Sequence, residues 1–354
     1  MSNAGYDGRC MELTLEAYRN IVKNVRSRAD IATLCRVSRA FRRAAEWALY
    51  NTLLLQNNDE ALLLLRTLSA PSSPQAALID ALTISLSGDG SLESDDDYSD
   101  EDYHDAQAPN PVPVNFWPSV AQALQNTQRL RYLTIQINDN STTAVAWILD
   151  GCRFQLRSFH CNIDWDPSLV SFLNKQRALE DLFIHDYRES IPRSSSRSSS
   201  PKVADPLSVD GSAMPNLTIL ECGFSEAAVA LVSGRPVTHL KTCFSMTESE
   251  DKRKELRQLV TSIEKSTCPL RALDIADSSY AEAFGMEVLD AVVASRNIKR
   301  KLGHLGTLVL PVDGQKVNQM SSFTYDCVTY LPAANTLLFV TDATPNGPLV
   351  GIGG

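Results

Sequence analysis

The chain has 354 residues, long enough for a sizeable core and, by length, about two domains. Its formal net charge of -9 gives no global basic excess that would attract a polyanion. The hydrophobic fraction of 44% is that of a globular protein, and no run of about 18 apolar residues exists to span a membrane.

The start, MSNAGYDGRCMELTLEAY, lacks the basic-then-apolar order of a secretory signal. Residues 1–12 read as a disordered N-terminus. The eight cysteines are scattered and contain no C-x-x-C pair. A zinc site wants two close ligand pairs, so no metal is expected. Several cysteines lie in apolar runs, where a free thiol behaves as a small hydrophobe. A reducing compartment, cytosol or nucleus, fits this usage.

Residues 13–55 read as a helical unit. In TLEAYRNIVKNV, Leu15, Tyr18, Val22 and Val25 share one stripe with Ile21 beside it. In SRADIATLCRV, Ile31, Leu34 and Cys35 face inward. In LCRVSRAFRRAAEWALY, Ser38 is a good N-cap. After it Phe41, Ala44, Ala45, Ala48 and Leu49 form an apolar stripe, with Arg39, Arg42, Arg43 and Glu46 opposite. The arginines therefore read as a solvated face rather than a nucleic-acid patch. Three short helices bury too little to stand alone and should lean on a neighbour.

Beyond residue 75 an apolar pattern recurs, x-x-Leu-x-apolar after a leading apolar residue. It appears as Leu130, Leu133 and Ile135; as Leu156, Phe159 and Cys161; and as Leu179, Leu182 and Ile184. It returns as Leu217, Leu220 and Cys222; as Leu270, Leu273 and Ile275; and as Leu305, Leu308 and Leu310. Weaker copies are Ile79, Leu82 and Ile84, and Val237 with Leu240, and ANTLLFV is a candidate last copy. Helical candidates lie between copies, among them SVAQALQNTQ, AVAWILDGC, SLVSFLNKQ, SEAAVALVS and RKELRQLVTSIEKS. In a strand the last two apolar positions point the same way, so the pattern predicts strands buried on one face. Strand and helix in alternation predict an α/β fold. The spacing predicts a degenerate leucine-rich-repeat solenoid over residues 56–345, with an ordinary parallel α/β domain as the alternative.

Two low-complexity inserts interrupt it, near 87–112 and near 190–212. The first carries the acidic run SGDGSLESDDDYSDEDYHD, the second the run PRSSSRSSSPKVADP. Both read as disordered, because neither buries enough to offset chain entropy. Ser94, Ser99 and Ser200 are candidate phosphorylation sites in them. Residues 346–354 read as a flexible tail.

No catalytic motif is present: no GxSxG, HExxH, P-loop or GxGxxG. His160 and His239 sit inside predicted strands and His185 just after one, positions that suit surface residues. The acidic run lacks the spacing of a calcium loop. No catalytic residue, metal or cofactor is expected, and the chain reads as a non-enzyme.

The run from Thr14 to Leu55 resembles the F-box-like segments of basidiomycete fungal proteins. The residues that match are Asp30, Ile31, Leu34, Val37, Ser38, Arg39, Phe41, Ala45, Leu49 and Tyr50. In LTLE, Leu13 to Glu16, Thr14 stands where the family has proline. The resemblance implies a substrate-recognition adaptor of an SCF-type, cullin-based ubiquitin ligase, cytoplasmic or nuclear. The F-box would dock on the Skp-type adaptor through Leu13, Leu15, Ile21, Val22, Leu34, Val37 and Phe41. The repeats would hold a target protein. The alternative is a repeat scaffold outside any ligase, with a degenerate F-box. Nucleic acid, through Arg36 to Arg43 and the Ser/Arg run, is disfavoured by the acidic net charge.

Overall fold

The computed structural model describes residues 13–56, 59–86, 113–137, 145–185, 208–276, 282–310 and 336–341. It opens with three helices, α1 (Leu15–Lys23), α2 (Arg28–Leu34) and α3 (Arg39–Tyr50). Each starts at a hydroxyl cap. Thr14 accepts from the Ala17 N–H at 3.3 Å, Ser27 from Asp30 at 3.3 Å and Ser38 from Phe41 at 3.2 Å. Val22, Ala44 and Ala45 form the buried centre of this unit, with Tyr18, Ile31, Leu34, Cys35, Phe41 and Ala48 packed around it. Tyr18 and Phe41 meet edge to face at 4.7 Å.

The chain then enters a ten-stranded sheet, all parallel, with the strands side by side in sequence order. The strands are β1 (Thr52–Gln56), β2 (Ala81–Leu86), β3 (Tyr132–Ile137), β4 (Ser158–Cys161) and β5 (Asp181–Ile184). They continue as β6 (Ile219–Cys222), β7 (His239–Cys243), β8 (Ala272–Ala276), β9 (His304–Leu310) and β10 (Thr336–Thr341). The described connections are α4 (Asp59–Ser69), α5 (Phe116–Asn126), a 3-10 turn at Ala146–Leu149, and α6 (Pro167–Leu173). After them come α7 (Ser225–Val232), α8 (Ser249–Glu264), α9 (Glu282–Ala294) and α10 (Arg296–Lys299).

The register explains the recurring apolar pattern. One inward column runs Leu53, Leu82, Leu133, Phe159, Leu182, Leu220, Leu240, Leu273, Leu305, one side chain per strand and all buried. A second runs Leu55, Ile84, Ile135, Cys161, Ile184, Cys222, Thr242, Ile275. The leading apolar residues, from Ile79 and Leu130 to Leu270, are buried in the turn before each strand, but at β9 that place belongs to Leu302, because Leu305, read as leading, pairs with Leu273 in the first column. All of these except Thr242 belong to one core, shared with the helices. At roughly 1.5–3 kcal/mol per buried aliphatic side chain, this core is the main favourable term in the fold.

The α/β class expected from the sequence holds. The expected architecture, an F-box-like helical unit followed by a leucine-rich-repeat solenoid, does not. A single continuous parallel sheet begins at Thr52, two residues after α3, so the residues to 55 are not all helical. Its connections differ in kind and length, from a four-residue 3-10 turn to the sixteen-residue α8, so no unit repeats. The leucine spacing misled because any parallel strand buried on one face, entered through an apolar turn residue, carries it. The helical candidate AVAWILDGC forms only that 3-10 turn.

One buried cation stitches the centre of the sheet to its surroundings. Arg235, 1% exposed, donates from Nη1 to the carbonyls of Ala230, Leu231 and Ser233 at 3.1–3.2 Å. Nε reaches the Ala213 carbonyl at 3.0 Å and Nη2 the Asp210 carbonyl at 2.7 Å. The guanidinium thus satisfies the carbonyls at the end of α7 and fixes residues 210–213 against it. Lysine has no planar fork to span these carbonyls. Arg235→Lys is expected to lower unfolding free energy by about 2–3 kcal/mol in urea titration, because buried carbonyls lose their donors.

Thr242 is the odd member of its column. Its Oγ1 is buried without a hydrogen-bond partner. Thr242→Val keeps the shape and removes the orphaned hydroxyl. It is expected to raise unfolding free energy by about 1 kcal/mol, measured in the same titration.

Candidate functional site

Parallel sheets usually have both faces covered. Here only one is. The strands alternate buried and accessible residues, as in β2, where Leu82, Ile84 and Leu86 are buried, and β7, where Leu240 and Thr242 are, so the second face lies open along the described strands.

The register arranges this open face in two rows. The first runs Tyr132, Ser158, Asp181, Ile219, His239, Ala272 and His304. The second runs Leu54, Thr83, Thr134, His160, Phe183, Glu221, Lys241 and Asp274. Tyr132, Leu54 and Ile219 are large apolar side chains exposed there. Lys241 Nζ meets Glu221 Oε1 at 2.6 Å on the next strand. Beyond Asp274, position 306 is glycine, and a Cβ there would overlap the Asp274 carboxylate. The face therefore combines an aromatic centre with charged groups toward β8.

At that centre His160, Ser158 and Asp181 meet. His160 Nε2 lies 2.9 Å from Asp181 Oδ2 and 3.2 Å from Ser158 Oγ. Ser158 Oγ donates to the same Asp181 oxygen at 2.9 Å. The composition is that of a hydrolytic triad, but the geometry is not. In a triad the carboxylate and the hydroxyl bind opposite ring nitrogens, so that the ring passes a proton between them. Here both crowd onto Nε2, and the serine proton already points at the carboxylate. The cluster is an ion-pair network.

Its titration follows from the contacts. The hydrogen bond to Asp181 raises the His160 pKa above its usual value, against the lowering effect of burial. Burial pushes the Asp181 carboxyl up, but the hydrogen bonds from His160 and Ser158 outweigh it and hold it below the usual range. Phe183 packs edge on to His160 at 5.8 Å and stacks with His185 at 6.0 Å.

Among the described cysteines, half-buried Cys243 shares the outward parity of His239 and Lys241 on β7. Cys161 and Cys222 are buried in the second inward column, and burial pushes the Cys161 thiol up to about 12. Among the described residues no group of three or more His, Cys, Asp or Glu is placed to hold a metal ion. Among them, too, no helix is long and apolar enough to cross a membrane.

The seven residues proposed to contact a partner differ in exposure. Val22 is buried, and Leu34 and Phe41 pack around it, so these three hold the helical unit together. Leu13, Ile21 and Val37 are 52%, 42% and 60% exposed. Leu15 is half-buried. Ser94, Ser99 and Ser200, with both low-complexity runs up to residue 207, lie outside the described residues. Arg39, Arg42 and Arg43 are exposed, and Arg42 Nε donates to the Cys35 carbonyl at 3.1 Å, closing the turn between α2 and α3. Sequence reading found the histidines but not their cluster, because Asp181 reaches His160 only through the pairing of β4 with β5.

Compared with known proteins, the chain matches no family model and no curated protein.

The His160–Asp181 pair is expected to mark stability with pH. A histidine whose folded pKa is raised contributes fully below its unfolded value near 6.5, and the contribution is lost as pH rises through the folded value. The melting temperature of wild type relative to His160→Gln is therefore expected to be higher at pH 5.5 than at pH 8.5. An equal difference at both values would remove the pair from the stability account.

Proposed function

We propose that the protein is a non-catalytic adaptor of the cytosol or nucleus. Helices α1–α3 dock on the Skp-type subunit of a cullin-based ubiquitin ligase, and the open sheet face holds a target protein. The supporting observation is the apolar surface of the helical unit. A unit whose buried centre is only Val22, Ala44 and Ala45 leaves Leu13, Ile21 and Val37 in water. Apolar side chains on so small a unit suit a helix-in-groove partner.

A second reading has its own support in the open sheet. Tyr132, Phe183 and the Glu221–Lys241 pair form a face that binds a protein without any ligase. The chain is then an interaction scaffold, and α1–α3 only cover the first strand.

Calorimetry of the purified chain against the Skp-type subunit separates the two. The adaptor reading expects micromolar or tighter binding. It also expects Val37→Asp and Ile21→Asp to weaken binding at least tenfold, about 1.4 kcal/mol, while circular dichroism stays unchanged. Phe41→Asp is the unfolding control, because Phe41 packs on Tyr18. A folded wild type that does not bind supports the scaffold reading.

A further inference from the structure

At the edge where the strands begin, the turns before β3 and β4 enclose a shallow cleft of about 370 Å3. Asp80, Gln128, Arg129, Leu130, Arg131, Arg153 and Gln155 line it. Leu130 is buried, while Gln128, the three arginines and Gln155 are exposed. The volume is within the range of small-molecule sites.

The three guanidinium groups are not equivalent. Arg131 is held by Asp80, Nε to Oδ1 at 2.5 Å and Nη2 to Oδ2 at 2.7 Å. That bidentate pair neutralises one charge and fixes the plane of the group. Arg129 and Arg153 have no carboxylate or carbonyl partner among the described residues. The cleft thus holds two uncommitted positive charges beside one neutral pair.

Arginines are common on this edge for a plain structural reason. Helices end here, and their last carbonyls attract cations. Arg235 serves that purpose at the end of α7 and reaches five carbonyls in all, while Arg177 Nη1 holds the Ser212 carbonyl in the turn before β6. Arg129 and Arg153 make no such bond. Their convergence on a cleft is left without a role in the fold.

We propose that this cleft binds a small molecule through a dianionic phosphate group, with Arg129 and Arg153 taking its oxygens. Two free planar forks match the charge and the oxygen geometry of a phosphate monoester. Gln128 lines the rim with a neutral amide, and the charge of Asp80 is already met by Arg131. The site is independent of α1–α3 and of the open sheet face.

The test is nuclear magnetic resonance titration of the full chain with inorganic phosphate and with glycerol 2-phosphate. Ionic strength is held constant with sodium chloride. Saturable shifts are expected at the amides of 128–131 and 153–155. Arg129→Gln/Arg153→Gln is expected to weaken binding at least tenfold, and Arg257→Gln, an exposed arginine on α8, to leave it unchanged. Equal affinity for both probes assigns the site to the phosphate group alone. Tighter binding of the ester assigns it to an organic phosphate, and the proposal stands in both cases. Saturation unaltered in the double variant, with its fold confirmed by circular dichroism, overturns it. So do shifts that sodium chloride reproduces.

Discussion

Everything in this protein hangs on the parallel register. Each strand presents one side chain to the same inward column, and that side chain rests on its counterpart in the next strand. Leu182 lies between Phe159 and Leu220, and Leu220 between Leu182 and Leu240. A slip of one residue would turn the whole column to water. The backbone reinforces the register at each turn. Arg131 and Tyr132 both donate to the Asp80 carbonyl, Arg157 and Ser158 to Arg131, and Arg271 and Ala272 to Thr238. Apolar stacking and the turn hydrogen bonds therefore specify the same alignment, and agreement between levels is what gives a sequence one structure.

The alignment has a consequence for the other face. With the helices on one side, the outward residues are fixed in rows by the same register but not by packing. Parallel pairing brings Ser158 level with Asp181 and Glu221 level with Lys241, and His160 reaches Asp181 diagonally from the next outward position of β4. The helical unit is governed differently. It joins the rest through Asn51, whose carbonyl accepts from Asp80 and Ala81, and through Tyr50, which packs against the large core. Its own apolar residues divide between holding three helices together and facing solvent.

Much of this was legible in the residues, and the gaps have physical causes. The strands from β2 to β8 and their inward positions follow from period-two burial, a local signal, while at β9 the reading was displaced, since Leu305 pairs with Leu273 rather than leading the strand. Ser38 declared its cap by type and position. Thr14 did not: set against a family pattern it looked like a missing proline, but it caps α1 with its hydroxyl. β1 was hidden because TLLLQ continues the apolar texture of α3, and only pairing with β2 makes it a strand. The leucine spacing gave the class of fold but not its architecture, since it records burial on one face and says nothing of how connections are built. The Arg129 and Arg153 cleft, like the His160 cluster, needs residues 20 or more apart and was invisible to local reading.

One further property follows from the strands all pointing the same way. The helices that return between them must point the opposite way, so their peptide dipoles add along a common axis. The side chains follow that axis. Asp166, Glu226, Glu250 and Asp251 gather where helices begin, and Arg129, Arg153, Lys175, Arg177 and Arg271 gather where they end. At these helix ends the side chains oppose the peptide dipoles, so the field that parallel topology builds along the strands is damped at both edges of the sheet.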